Sequence, residues 1–161
     1  MTRPSLQTHS RAKSIIARLL SAAFALAAPA GLHAAAAASA APASLTVTFQ
    51  GLKTSSGAVM VALSSDPDGF AGKGDPVNQA KIVVTGATAS ATFTGLKPGT
   101  YAIRAFHDLN GNGRLDANAF GIPTEPYAFS NNARGTMGPP SWSAAAFEVR
   151  SGDNGQTIDI D

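Results

Sequence analysis

The chain has 161 residues, of which 44% are hydrophobic and none is cysteine, and its formal net charge is +2 at pH 7. The lack of cysteine excludes a disulfide framework, a lipidated cysteine anchor and every thiolate metal site. After residue 40 eight basic side chains face ten acidic ones, a net charge of −2, so composition gives no reason to expect binding to nucleic acid or anionic membrane.

Residues 1–40 have the composition of a secretory signal peptide. Four basic residues open the segment, namely Arg3, Arg11, Lys13 and Arg18. An apolar run from Leu19 to Ala28 and then alanine-rich small residues follow, which is the order of regions in an export signal. Cleavage is expected between about residues 34 and 42.

A retained membrane anchor is the alternative for this segment. Arg18 interrupts the run, Pro29 and His33 lie inside its continuation, and alanine is barely apolar enough for a span of roughly 20 residues. We therefore expect an exported protein, periplasmic or extracellular, with no membrane span after cleavage. Residues 43–161 are expected to form a single domain, large enough to hide roughly two-thirds of its unfolded surface.

The periodicity of this domain is that of β-strands. Leu45, Val47 and Phe49 alternate with threonines, and the segment 89–94 alternates in the same way. Turn residues separate seven candidate strands, at 45–49, 58–63, 81–85, 89–94, 101–107, 145–150 and 157–160. The predicted fold class is all-β, an immunoglobulin-like or transthyretin-like β-sandwich of about seven strands, with a barrel as the alternative.

Residues 108–141 form an excursion that is too long for a plain connection. Its apolar side chains would be costly to leave in water, so we expect it to be ordered, with its aromatics covering an open end of the sandwich or presenting a ligand surface. The candidate surface comprises Tyr127, Phe129, Asn131, Asn132, Arg134 and Trp142. Aromatic planes beside amide and guanidinium donors are typical of sites for sugars or peptides. A carbohydrate-binding module is one hypothesis, and a cell-envelope protein partner bound by strand addition is another.

The excursion opens with a pattern typical of calcium loops. Asp108, Asn110 and Asn112 alternate, Gly113 permits a sharp turn, and the backbone carbonyl of Arg114 and the carboxylate of Asp116 complete the candidate ligands. An EF-hand is not expected, because Ala119 stands where a bidentate glutamate is needed. We expect a structural Ca²⁺ site with a dissociation constant on the order of 0.1 to 1 mM, completed by water or by Asn118 or Glu125. Alternatively, the Asn-Gly pairs are turns whose side chains cap their own backbone.

No pattern of catalytic residues emerges. His107 is the only histidine after residue 40, and the adjacent Asp108 should point to the opposite face of a strand. Ser130 and Ser141 lie in no nucleophile-elbow motif, and the two glutamates, Glu125 and Glu148, give little support to a glycosidase. We therefore do not expect an enzyme, and predict an exported binding or structural module of unknown ligand.

Several motifs together resemble a known family. They are the stretch from Phe93 to Ile103 with Gly-Leu-Lys-Pro-Gly-Thr-Tyr, the stretch from His107 to Asp116, Gly121-Ile122-Pro123, the stretch from Tyr127 to Gly135, and Gly138-Pro139-Pro140-Ser141. In combination they resemble the secreted bacterial family known as domain of unknown function 2141, across the whole predicted domain. The Gly-Leu-x-Pro-Gly-x-Tyr piece is also similar to a turn and strand of transthyretin-like and carboxypeptidase regulatory-like sandwiches. The resemblance implies a fold and no activity.

Overall fold

The structure, a computed structural model, describes residues 41–161; the predicted signal peptide lies outside the described residues. Eight strands dominate: β1 (Ala43–Gln50), β2 (Ala58–Ser64), β3 (Asn78–Val83), β4 (Ala89–Leu96), β5 (Gly99–Asp108), β6 (Tyr127–Phe129), β7 (Phe147–Val149) and β8 (Gly152–Asp159). Two short helices, α1 (Pro67–Phe70) and α2 (Trp142–Ala145), and a 3-10 turn at Ser130–Asn132 complete the elements. The all-β prediction is confirmed. No described helix is long and apolar enough to cross a membrane.

The strands form two sheets. The smaller sheet has the order β4-β1-β8, with β1 antiparallel to β4 and parallel to β8. The larger sheet has the order β3-β2-β5-β6, and β7 pairs with the beginning of β5. The eight strands agree with the expected number of about seven, while the immunoglobulin-like or transthyretin-like type of sandwich stays a prediction.

The core lies between the two sheets, because every second side chain along a strand points inward. Leu45, Val47 and Phe49 of β1 are fully buried, and they belong to one apolar cluster with Val59 of β2 and Ile103 of β5. Full burial of such a side chain contributes roughly 1.5 to 3 kcal/mol to stability. The outward residues of β1 are polar and join β4 through Thr46 and Thr92, whose hydroxyl oxygens are 3.0 Å apart.

Four strand predictions differ from the structure: β3 lies at Asn78–Val83 and not at 81–85, and the other three concern β6, β7 and β8. β6 lies inside the predicted excursion, and three residues are too few for alternation to be read. β8 begins already at Gly152, in a stretch of turn-forming residues that pairs in parallel with β1 from Ala43 onward. Ala145 belongs to α2 and not to a strand, because the side chain of Ser141 caps that helix by accepting from Ala144 N at 3.3 Å.

Candidate functional site

Two rows of side chains cross the outer face of the larger sheet. Cross-strand pairing aligns the first row as Lys81, Met60, Phe106 and Tyr127. The second row, two residues along each strand, is Gln79, Ala62, Arg104 and Phe129. Since Val61, Ile103 and Ala105 between them belong to the core, both rows point away from it. The sheet thus presents aromatic, thioether and basic side chains on one continuous surface.

Short helices and loops line the sides of this surface. Together with the sheet they form a concave site of about 990 Å³, which we call the outer groove. Its floor is formed by the two rows above. Its walls carry Phe70 and Lys73 from α1 and the residues after it, Trp142 from α2, and Gly113 and Leu115 from the loop that follows β5. The groove therefore brings together side chains from four strands, two helices and a loop.

The helices that form the walls are held by caps and aromatic contacts. Asp66 accepts from Gly69 N at 2.8 Å and so begins α1, where Pro67 provides a favourable first turn. Phe70 packs edge-to-face on Phe129 and Trp142, with ring centroids 5.8 and 5.9 Å apart. These contacts join α1, β6 and α2 in a second apolar cluster on the outer side of the sheet.

Ser130 joins α2 to the sheet. Its side chain is fully buried, and its hydroxyl donates to Ala145 O at 2.6 Å while accepting from Ile103 N at 2.9 Å. The hydroxyl thus donates to the backbone of α2 and accepts from the backbone of β5. Besides the Phe70 contact, α2 and its Trp142 are thus joined to the sheet by a serine that does not line the groove.

The structure divides the predicted ligand surface into two sets. Tyr127, Phe129 and Trp142 line the outer groove. The other three do not line it and make hydrogen bonds or an ion pair within the fold: Asn131 donates to Ala146 O at 2.8 Å, Asn132 donates to Asp159 Oδ2 at 3.0 Å, and Arg134 pairs with Asp161 at 2.7 Å. Asn131 and Asn132 also adopt positive φ angles of 57° and 51°, which asparagine tolerates better than most residues.

The Arg134–Asp161 pair predicts a small pH dependence of stability. The hydrogen bond and charge of Arg134 hold the pKa of Asp161 below its ordinary value of 3.8. The stabilisation is therefore present above that value and is lost as the pH falls through the lowered pKa. Because both side chains are more than half exposed, we expect Arg134→Ala to lower the free energy of unfolding by only about 0.5 kcal/mol at neutral pH.

Urea denaturation at neutral pH and near pH 2 measures this effect, which should shrink toward zero in acid. Arg150→Ala, at another exposed arginine, is the matched control and should show no such change with pH. A difference between wild type and Arg134→Ala that is as large in acid as at neutral pH would contradict the assignment of the pair.

The residues of the predicted calcium loop do converge, in a turn that we call the Asp108 loop (108–116). Asp108 is fully buried, and its carboxylate accepts from the backbone N–H groups of Gly111 (2.8 Å), Asn112 (3.1 Å) and Gly113 (2.9 Å). The side-chain amides of Asn110 and Asn112 donate to Asp116 at 2.6 to 3.1 Å. The backbone N–H of Arg114 donates to Asn112 Oδ1 at 2.8 Å.

The donor set of this loop fits a hard cation in composition, with two carboxylates and two amides. Its oxygens, however, already accept N–H groups of the loop, since Asn110 Oδ1 also accepts from Asn112 N at 3.0 Å. Calcium binding would require at least the two asparagines to exchange these bonds for bonds to the ion. Between residues 41 and 161, no cluster of three or more His, Cys, Asp or Glu side chains is placed to hold a metal.

Glu125 closes the Asp108 loop from the other side of the excursion. Its carboxylate is buried and accepts from Leu109 N at 2.8 Å and from Asp116 N at 3.1 Å. The sequence analysis considered Glu125 as an extra ligand for an ion and as one of two candidate glycosidase carboxylates. The sequence signal for this role was a glutamate with no basic residue near it in the loop. If such a carboxylate is buried, its hydrogen-bond donors have to come from elsewhere, for example from backbone N–H groups.

The residues considered as catalytic candidates lie in different parts of the fold. His107 points into the sandwich, and its Nε2 donates to Ser56 O at 2.7 Å. The carboxylate of Asp108 accepts from the backbone of its own loop, while Ser141 caps α2.

Sequence reasoning missed Met60, Arg104, Phe106 and Phe70 as residues of the groove. Each was read only as part of a strand or a connection, and no local pattern marks them as neighbours. The cross-strand register and the packing of α1 bring them together.

Comparison with known proteins identifies the family. No curated protein and no solved structure matches the chain. A family model matches residues 47–158, well over half of the chain and nearly the whole described domain. The resemblance found from the motifs is thereby confirmed, and the chain belongs to the family described as "Uncharacterized protein conserved in bacteria (DUF2141)".

Proposed function

We propose that this protein is an exported binding module whose outer groove takes a ligand with a ring or another apolar body. The observation that carries the proposal is the concentration of partly exposed aromatic side chains in one concave site, from Phe106, Tyr127, Phe129 and Trp142. Its volume of about 990 Å³ lies at the upper end of the usual range for small-molecule sites, roughly 300 to 1,000 Å³.

The contrast between the two outer sheet faces supports this reading. The smaller sheet presents short polar side chains to solvent, such as Thr46, Thr48 and Thr92. The larger sheet presents Met60, Phe106 and their neighbours, which are only half-buried. An apolar surface that remains partly exposed after folding commonly marks an interaction site, because folding alone does not require it.

Carbohydrate binding is the alternative for the same groove. Tyr127 and Trp142 supply planes on which sugar rings stack. The asparagines first considered as sugar donors are engaged within the fold, so Gln79, Lys81 and Arg104 would have to supply the polar contacts. A cell-envelope protein partner is a further alternative, since β3 is an edge strand of the sheet that carries the groove.

The Asp108 loop has a structural role in this proposal. Gly113 and Leu115 belong to the groove wall, so whatever orders the loop also shapes the site. A weakly bound structural Ca²⁺ held by Asp108 and Asp116, with oxygens of Asn110 and Asn112 and the carbonyl of Arg114, would supply additional order to this wall.

Fluorescence of Trp142, the only tryptophan of the chain, gives a probe inside the groove. We expect the neutral apolar fluorophore N-phenyl-1-naphthylamine to change this emission on binding, and Phe106→Ala to weaken its binding about tenfold, since loss of one aromatic contact costs roughly 1.4 kcal/mol. Cellohexaose, titrated in the same way, tests the carbohydrate alternative.

Phe120→Ala is the matched control, because Phe120 is 89% exposed and lies outside the groove. It should bind the fluorophore as the wild type does. Equal weakening in both variants, or no binding of either probe to the wild-type domain, would contradict the proposal.

A further inference from the structure

The outer groove is positively charged on a domain whose net charge is negative. Its lining contains three basic residues, Lys73, Lys81 and Arg104, and one acidic residue, Asp68. Residues 41–161 contain eight basic and ten acidic side chains in total, so five basic and nine acidic ones remain outside the groove. Basic side chains are therefore concentrated at the apolar site, where they favour an anionic ligand.

Arg104 is one of these three basic residues, and it lies on β5, an inner strand of the larger sheet. It is half-buried in the second row of the floor, between Ala62 and Phe129. The only hydrogen bond from its guanidinium within residues 41–161 goes to Phe70 O, at 3.4 Å. A guanidinium has five N–H donors in a planar fork, so most of them remain available to a carboxylate.

No carboxylate of the described domain forms an ion pair with this guanidinium, since the ion pair observed there joins Arg134 to Asp161. The guanidinium lies against Gly72, just after α1, so closely that a Cβ on this glycine would lie 2.6 Å from Nη1. Lys73 follows directly and adds a second positive charge, while Asp68 of α1 places one negative charge at this α1 end of the groove, so the net charge there stays positive.

The apolar part of the floor begins one row away. Met60 and Phe106 are two residues along their strands from Ala62 and Arg104, which corresponds to about 7 Å. Tyr127 extends the same apolar row toward the edge of the sheet. The guanidinium of Arg104 thus lies within the length of one small organic molecule of the apolar surface of Met60 and Phe106, and Lys81 stands at the β3 end of that same row.

We propose that the outer groove binds a small organic carboxylate with an aromatic or similar apolar body. The carboxylate pairs with Arg104 at the α1 end, and the body lies over Phe106 and Tyr127. This inference rests on the proposed function of the groove and specifies the chemical class of its ligand. Arginine suits the task, because its fork matches a carboxylate in a bidentate geometry.

The test compares 3-phenylpropanoate with its neutral isostere 3-phenylpropanamide, using Trp142 fluorescence and calorimetric titration. We expect the carboxylate to bind wild type at least about tenfold more tightly than the amide, since a charge-assisted pair contributes roughly 1.5 kcal/mol or more. Arg104→Met should abolish this preference, weakening the binding of the carboxylate about tenfold more than that of the amide. Arg104→Lys should retain part of it, because the charge remains and the fork is lost.

Arg150→Met is the matched control, at an exposed arginine outside the groove, and it should keep the full preference. Equal affinity for carboxylate and amide, a preference that survives in Arg104→Met, or no detectable binding of 3-phenylpropanoate would overturn the inference. If N-phenyl-1-naphthylamine still binds in a Phe106-dependent way, the binding function stands and only the ligand class is wrong. If it does not bind, the proposed function fails as well.

Discussion

Replacing Asp108 by alanine is expected to lower the free energy of unfolding by about 2 to 4 kcal/mol. The buried carboxylate accepts three backbone N–H groups of its own loop, and hydrogen bonds to a charged group contribute roughly 1.5 to 3 kcal/mol each. The expected total is less than the sum, because Gly111 and Gly113 are exposed and water can hydrate their freed N–H groups. Urea denaturation in chelator measures the loss independently of any ion.

Asn110→Ala provides the control within the same loop. Asn110 is exposed, and its side chain accepts only one backbone N–H group, so the expected loss is about 1 kcal/mol or less. Asp108→Asn should lie between the two, since an amide keeps one acceptor oxygen. If Asp108→Ala costs no more than Asn110→Ala, the carboxylate does not hold the loop.

The same denaturation in about 5 mM calcium tests the proposed ion site. A dissociation constant of 0.1 to 1 mM predicts that wild type gains about 1 to 2 kcal/mol and that Asp108→Ala gains nothing. Identical stability of wild type in chelator and in calcium would identify the Asp108 loop as a turn closed by its own side chains.

Replacing Ser130 by alanine is expected to cost about 2 to 3 kcal/mol and to disturb the groove at a distance. The hydroxyl joins β5 to α2, and its removal leaves Ile103 N and Ala145 O without their partner in a fully buried position. Each unsatisfied buried backbone group costs roughly 1 to 3 kcal/mol. Because α2 carries Trp142, its emission spectrum should shift in the folded variant as well.

Ser143→Ala is the matched control, since Ser143 lies in α2 itself but is exposed. It should change stability by less than about 0.5 kcal/mol and leave the Trp142 spectrum as in wild type. A Ser130→Ala variant with wild-type stability and emission would show that the aromatic contacts of Phe70 alone hold α2 in place.

Much of the fold could be predicted because it depends on local patterning. Alternation in β1 and β5 places Leu45 and Ile103 in the core, and a shift of one residue would expose every such side chain to water. β6 was not predicted, because three residues are too few to show an alternating pattern. The start of β8 was not predicted either, because pairing with β1 overrides the turn preference of Gly152 and Asn154.

The candidate sites differ in how much of each could be predicted from the sequence. The convergence of Asp108 and Asp116 follows from spacing within nine residues, because a tight turn can bring only nearby side chains together. Glu125 completes that loop from outside it, and its part as an acceptor for Leu109 and Asp116 depended on the path of the whole excursion.

The amino-acid sequence by itself determined the all-β class, the period-two core and the family, since these depend on residue type and near-neighbour spacing. The tertiary structure alone decided that Phe106, Arg104 and Trp142 share one groove, while Asn131 and Arg134 lie outside it. The physical reason is that cross-strand register and the docking of α1 and α2 join residues far apart in the chain. Such contacts leave no periodic signal in a single sequence.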